Sequence, residues 1–171
     1  MYTTFIADDE LIIRQGLRCI LDWEELGFQI IGEAANGADA LDFIIKNNPD
    51  LVLLDIRMPQ ILGTEIVRRA KEQGFTGKFI ILSGYSDFAY AQAAIRYGVD
   101  FYLTKPIDED ELLTSIQTIK QNLEEARLRQ NHIEIYRTKA KDVILHEIIT
   151  GTYHADGKDA LSEEDFAKME L

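Results

Sequence analysis

The sequence predicts an α/β fold, a doubly wound five-stranded parallel sheet with strand order 2-1-3-4-5, followed by a long helical extension. Three observations predict it. Short apolar runs alternate with amphipathic ones through the first 107 residues. The runs are almost wholly apolar, as in strands covered on both faces. Acidic or polar residues stand where the runs end, the side of an open parallel sheet on which sites form. Right-handed crossovers place the helices on both faces.

Thr3-Thr4-Phe5-Ile6-Ala7 reads as the first buried strand. From Glu10 to Leu21 the apolar positions Leu11, Ile12, Leu17, Ile20 and Leu21 follow helical spacing, and Cys19 falls in that helix as a core or boundary residue. Trp23 is expected to anchor the loop behind it. Phe28 to Ala34 is the second strand, and Asn36-Gly37 breaks it. Ala38, Leu41, Phe43, Ile44 and Ile45 mark a helix that stops before Pro49. Leu51-Val52-Leu53-Leu54-Asp55 is the third strand. Gly63 to Gln73 reads as helix, ended by Gly74, and Lys78 to Ser83 as the fourth strand, stopped by Gly84. Ser86 can cap a helix to about Tyr97, closed by Gly98. Val99 to Thr104 is the fifth strand.

From Asp108 the pattern changes. No proline or glycine occurs until Gly151. Ile116, Ile119, Leu123, Ala126, Gln130, Ile133, Arg137, Ala140 and Ile144 follow alternating three- and four-residue steps, which is heptad spacing with polar defects at Gln130 and Arg137. Acidic residues at 108–111 suit the positive end of a helix dipole. The first turns are expected on the sheet, and the stretch beyond Leu123 as a coiled-coil connector. The tail is polar and acidic. Gly151 reads as a helix stop, Asp156-Gly157 as a turn, and Ser162-Glu163-Glu164-Asp165 as a capping box. The expected organisation is a domain over 1–121, a helical linker over 122–150, and over 151–171 a flexible tail or the start of a second domain.

Composition narrows the function. The 171 residues carry 30 acidic and 18 basic side chains, a net charge of −12, with 46% hydrophobic content. That content is too high for a fully disordered chain. No apolar run approaches the ~18 residues of a membrane helix, and no signal peptide is read at the start. Cys19 is the single cysteine, so no internal disulfide or cysteine-based zinc site is expected, and a reducing cytoplasm fits. The acidity argues against direct contact with nucleic acid. Residues 1–107 hold 15 acids and 10 bases, a net of −5; residues 108–171 hold 15 and 8, a net of −7. More of the charge therefore lies on the extension and tail than around the strand ends.

The chemistry gathers at those strand ends. Asp8 and Asp9 follow strand one, Asp55 ends strand three, Ser83 ends strand four, and Lys105 follows strand five before Pro106. In the order 2-1-3-4-5 these residues share one pocket. Close carboxylates repel and hold protons unless a cation intervenes. Hard oxygen donors with room for water suit Mg²⁺. Beside such a cation a carboxylate can act as nucleophile toward a phosphoryl group, forming an acyl phosphate. Lys105 supplies a point charge to a phosphoryl oxygen and Ser83 a hydroxyl.

These pieces resemble a known family, the receiver domain of two-component response regulators. The matching segments are Asp8-Asp9, Leu51-Val52-Leu53-Leu54-Asp55 with Met58-Pro59, Ile81-Leu82-Ser83-Gly84, and Tyr102-Leu103-Thr104-Lys105-Pro106, and the resemblance covers about residues 2–120. It implies a flavodoxin-like receiver fold with Asp55 as phosphoacceptor. It implies Mg²⁺ held by Asp9, Asp55 and the backbone carbonyl of Arg57, with Asp8 helping through water. Ser83 and Lys105 would contact the phosphoryl group, Lys105-Pro106 would be cis, and Tyr102 would be the aromatic switch residue. The implied partners are a sensor histidine kinase and a second copy, through the face of helix four, strand five and helix five and through the extension. Receivers often carry Met-Pro-x-Met-Asp-Gly after the phosphoacceptor strand, whereas here Met58-Pro59 is followed by Gln60-Ile61-Leu62-Gly63. That departure bears on the local loop. Arg57 and Tyr85 occupy positions that tune phosphorylation rates in the family.

Asp22-Trp23-Glu24-Glu25-Leu26-Gly27, the run from Ile80 to Ala91 and the helical tail are similar to YesN-type receivers, which precede an AraC-type DNA-binding domain. That resemblance implies transcription regulation, with DNA reached only through an output domain outside these 171 residues. The implied protein is not an enzyme but a phosphoacceptor switch with self-phosphorylation and autodephosphorylation chemistry.

Other readings compete. Ser83 can be a plain turn residue and Tyr102 plain packing. A nucleotide-binding oxidoreductase needs Gly-x-Gly-x-x-Gly after strand one, and Ala7-Asp8-Asp9-Glu10 lacks it. An aspartate-based phosphotransfer enzyme wants a second acid two residues after its nucleophile, where Arg57 stands. A pseudo-receiver used for docking would keep the fold and not the reaction. His146-Glu147 begins a zinc-protease pattern, but Thr150 stands where the second His belongs. His132 and His154 have no partner pattern.

Overall fold

The computed structural model describes residues 1–84 and 88–150. Two compact units divide the chain, Met1–Leu123 and Glu124–Leu171.

In the first unit five strands and five helices alternate: β1 (Tyr2–Ala7), α1 (Leu11–Cys19), β2 (Phe28–Ala34), α2 (Gly37–Asn47), β3 (Leu51–Asp55), α3 (Gly63–Glu72), β4 (Lys78–Ser83), α4 (Phe88–Arg96), β5 (Phe101–Thr104) and the start of α5 (Glu109–Thr150). The sheet order is β2-β1-β3-β4-β5, every pairing parallel. This is the expected doubly wound architecture.

Alternation along the strands makes two cores. Phe5, Val52, Leu54, Phe79 and Ile81 face α2, α3 and α4, meeting Ile44, Ile66, Val67 and Ala94. Ile6, Leu51, Leu53, Ile80 and Leu82 face the other way, meeting Leu17 of α1 and Leu112, Ile116 and Ile119 of α5. β3 is buried along its whole length, which explains its unbroken apolar run.

Several boundaries differ from expectation. Val99 and Asp100 precede β5 rather than join it, because the Asp100 carboxylate accepts the Phe79 N–H (3.0 Å) and meets Lys78 Nζ (3.0 Å). α2 stops before Pro49 as expected, with Asn48 in a left-handed conformation at its end. Leu11 (54% exposed), Ile12 (72%) and Cys19 do not belong to the core: α1 turns Arg14 and Leu17 inward instead. Trp23 does anchor its loop, buried with Nε1 donating to the Leu17 carbonyl at 2.9 Å.

From Glu124 the second unit carries α5 on as helix to Thr150. Residues 124–139 are all exposed there, Leu128, Ile133, Ile135 and Tyr136 among them. The cap at Ser86, the rate-tuning position Tyr85, the side chains of Ala140, Ile144, His146 and Glu147, and the features expected over 151–171, His154 included, lie outside the described residues. No described helix is long and apolar enough to cross a membrane.

Candidate functional site

The pocket forms where β1, β3, β4 and β5 end together. Asp8 follows β1 directly, and its N–H donates to the Ala34 carbonyl of β2 at 3.1 Å. Its side chain is fully buried, while Asp9 and Glu10 are exposed. One carboxylate oxygen from each of the three lies within 4.8 Å of the others. Asp55 closes β3, nearly buried, in register with Leu82 of β4. Lys105 follows β5, its peptide bond to Pro106 is cis, and its N–H donates to the Ser83 carbonyl at 2.7 Å.

Lys105 bridges the acids. Its Nζ is 2.8 Å from Asp8 Oδ2, 3.0 Å from Asp55 Oδ1 and 3.9 Å from Glu10 Oε1. Asp8 Oδ2 is buried, and the Lys105 ammonium compensates its charge at 2.8 Å. The other oxygens are held locally: Asp8 Oδ1 accepts the Glu10 N–H (2.9 Å), and Asp55 Oδ2 accepts the Arg57 N–H (3.0 Å).

Burial pushes the Asp55 carboxyl above its ordinary range. The Lys105 ammonium and the Arg57 N–H pull it down, and the neighbouring Asp8 charge pushes it up again. For Lys105, burial works against the charged form, but contacts with Asp8 and Asp55 outweigh it and hold the proton more tightly. The pair strengthens the ammonium while leaving Asp55 short of full compensation.

Ser83 is fully buried at the end of β4. Its hydroxyl donates to the Gly84 carbonyl (3.0 Å) and accepts the Tyr102 hydroxyl (2.6 Å). Tyr102 is therefore half-buried and linked to the pocket edge through Ser83.

The loop from β3 to α3 folds back on the phosphoacceptor candidate. Gly63 N–H donates to the Ile56 carbonyl (2.9 Å), and a Cβ on Gly63 would lie 2.3 Å from the Asp55 carbonyl oxygen. Only glycine permits that approach. Leu62 stands at the N-cap of α3 and gives it no side-chain hydrogen bond. The departure seen in the sequence is thus a missing cap.

Asp8, Asp9, Asp55 and Lys105 come together as expected, with Ser83 beside them on the neighbouring strand end. Arg57 reaches the site through its backbone N–H on Asp55, whereas the expected contact was its carbonyl. Two groups were not anticipated. Glu10 adds a third carboxylate, visible in the sequence as an unbroken run of acids. Arg14 is a charged residue on the inward face of α1, a signal hidden by the exposed Leu11 and Ile12. Three clustered carboxylates and a fourth across the pocket are hard oxygen donors that fit a divalent cation.

A family model described as the response regulator receiver domain matches residues 4–117. The transcriptional regulatory protein YesN of Bacillus subtilis is 34% identical over 158 residues, 88% of this chain and 43% of that protein. The transcriptional regulatory protein HptR of Staphylococcus aureus is 40% identical over 112 residues, 66% and 44% respectively. The chain spans about half the length of the curated relatives it matches. Among solved structures, the REC domain of AraT, a response regulator from Geobacillus stearothermophilus, superposes with a TM-score of 0.70 at 36% identity, over 74% of this chain and 98% of that one. A two-component transcriptional regulator AraC from Clostridium phytofermentans gives 0.67 at 32% identity, over 74% and 98%.

Proposed function

Because the chain belongs to the response regulator receiver domain family, we propose that it is a phosphorylation switch in which Asp55 accepts a phosphoryl group from a sensor histidine kinase. The observation that carries this reading is the Lys105 ammonium held between Asp8 and Asp55 at the carboxyl edge of the sheet.

A carboxylate oxygen of Asp55 attacks phosphorus in line with the phosphohistidine nitrogen. The O–P bond forms, the N–P bond breaks, and the imidazole nitrogen keeps the electron pair and takes up a proton. Asp8, Asp9, Asp55 and the Arg57 carbonyl are the groups that would hold Mg²⁺, with Glu10 at the rim. Bound there, Mg²⁺ neutralises phosphoryl oxygens and favours in-line transfer. Burial makes Asp55 a more basic nucleophile than a solvated aspartate, and Lys105 keeps it ionised.

On transfer, the Lys105 ammonium turns from the Asp55 carboxylate to a phosphoryl oxygen. The Ser83 hydroxyl exchanges the Gly84 carbonyl for another phosphoryl oxygen. Tyr102 follows, because its hydroxyl donates to that same Ser83 oxygen. The face of α4, β5 and α5 then changes its self-association. Exposed Ile133, on the heptad seam, supports a coiled-coil pairing of two α5 extensions as a linker, while exposed Leu128 and Ile135 lie on the opposite side of the helix. The switch works in the cytoplasm. The transcriptional regulatory names of YesN and HptR support transcription regulation as the output, with DNA reached through an output domain.

Incubation with Mg²⁺ and acetyl phosphate, read by intact mass, tests the proposal. One added phosphoryl group, absent in Asp55→Asn, is expected. Failure of the native chain to take up phosphate from small donors and from a kinase would leave a docking pseudo-receiver. Light scattering of the full chain and of one ending at residue 121, with and without beryllofluoride, tests the dimer. Two monomers under all conditions would remove it.

A further inference from the structure

We propose that Arg14, with its counter-ion Glu33, is the positioning residue that sets Asp8 and Asp9 for the divalent cation, an inference that rests on the cation reading above. Arginine is seldom buried without a defined set of partners. Arg14 is 8% exposed on the inner face of α1. Its Nη1 donates to the Asp8 carbonyl at 2.8 Å and reaches the Asp9 carbonyl at 3.4 Å. One guanidinium therefore collects the carbonyls of both adjacent acids. With the Asp8 N–H fixed on Ala34, the Asp8 backbone is held at both of its polar groups. What remains to Asp8 is its carboxylate, which meets Lys105 in the pocket.

The charge arrangement completes the device. A bare guanidinium directly behind a cation site would repel the ion. Glu33 Oε1 lies 3.5 Å from Arg14 Nε, and Glu33 Oε2 takes the Arg18 Nε–H at 3.1 Å. Arg14 Nε makes no hydrogen bond, so Glu33 acts on it as a charge. The clamp offers rigid donors to the loop at little electrostatic penalty to the cation. Groups that orient metal ligands from behind typically contribute 10–100-fold in metal affinity.

Mn²⁺ binding to the full chain, read by electron paramagnetic resonance with Mg²⁺ as competitor, is the test. Arg14→Met is expected to weaken binding at least about tenfold. Arg14→Lys should recover part of the loss, because an ammonium can reach one of the two carbonyls. Glu33→Gln, whose side chain is 34% exposed, should fold and bind several-fold more weakly. Trp23→Phe serves as a variant weakened in the core but unchanged in affinity, so that lost stability alone is recognised. If Arg14→Met does not fold, Arg14→Lys and Glu33→Gln decide. Binding within twofold of native in the folded variants overturns the proposal. Asp9→Asn separates the two levels: if it too binds normally, the cation reading itself fails, whereas if it alone is weakened, only the role of Arg14 fails.

Discussion

Replacing Lys105 by methionine leaves two buried carboxylates facing each other. The distances of 2.8 Å to Asp8 and 3.0 Å to Asp55 correspond, at an effective dielectric near 20, to a gross attraction of about 6 kcal/mol each. Desolvation of the ammonium offsets much of that, and breaking a buried pair by removing one partner leaves a net loss of about 3–5 kcal/mol. Protonation sets a ceiling. Holding a proton at pH 7.5 on a carboxyl that titrates near 3.9 when unfolded takes about 5 kcal/mol, so no single carboxylate can cost more. Lys105→Met is therefore expected to lose about 3–5 kcal/mol in urea denaturation at pH 7.5 with EDTA. The pH dependence follows from the direction of the Asp55 shift. A carboxyl raised in the folded state binds more protons there than when unfolded, so stability falls as pH rises. The deficit of the variant should be small near pH 4 and grow by up to about 1.4 kcal/mol per pH unit until the folded group has ionised. Saturating Mg²⁺ should restore much of the loss at pH 7.5, since a cation replaces the missing charge. A loss below 1 kcal/mol that neither pH nor Mg²⁺ alters would refute the electrostatic account of the pocket.

Three further substitutions probe the surroundings. Gly63→Ala places a Cβ 2.3 Å from the Asp55 carbonyl oxygen, backbone that cannot yield without moving β3; a loss of about 1–3 kcal/mol in chemical denaturation is expected, with slower phosphorylation by acetyl phosphate. Leu62→Asp supplies the cap that α3 lacks and should gain about 0.5–2 kcal/mol, measured the same way; no gain would mean the loop cannot accept a capping geometry. Tyr102→Phe removes the donor to buried Ser83 and should cost about 0.5–1.5 kcal/mol while reducing the beryllofluoride-induced change in dimerisation. An unchanged response in that variant would detach Tyr102 from the switch.

The fold was legible because parallel strands covered on both faces leave long apolar runs. β2, β3 and β4 match the sequence to the residue, since Gly27 and Asn36-Gly37, Asp50 and Asp55, and Gly77 and Gly84 punctuate their ends. β5 was read two residues too long because Asp100, a polar residue within the run, spends its side chain on Phe79 and Lys78, an interaction 21–22 residues away that no local pattern carries. α1 departs from its pattern for the opposite reason. Its sequence puts Leu11 and Ile12 where periodicity expects a core, but the helix turns so that Arg14 faces inward, because two backbone carbonyls at the end of β1 wait there for a donor. The pocket acids and Lys105 were legible from strand-end position. Glu10 and Arg14 were not, because a run of acids reads as solvated and a basic residue in a helix reads as surface.

The contacts of Lys105 tie the pocket to the sheet edge in a way that charge alone does not. Its ammonium lies on Asp55, while its own N–H holds the Ser83 carbonyl at 2.7 Å. The hydroxyl of that same Ser83 accepts from Tyr102, which lies three residues before Lys105 on β5. Asp55, Lys105, Ser83 and Tyr102 are thus joined through three contacts of 3.0 Å or less spanning the ends of β3, β4 and β5. Under the proposed switch, a phosphoryl group on Asp55 draws on both Lys105 Nζ and Ser83 Oγ, the two points where this set meets the pocket. Tyr102 cannot keep its hydrogen bond unless it moves with Ser83. Two strand ends thereby receive one signal, which is why the response is expected at β5 and its flanking helices rather than at β2, whose end meets the pocket, among the described residues, through the Asp8 backbone and the Arg14–Glu33 contact.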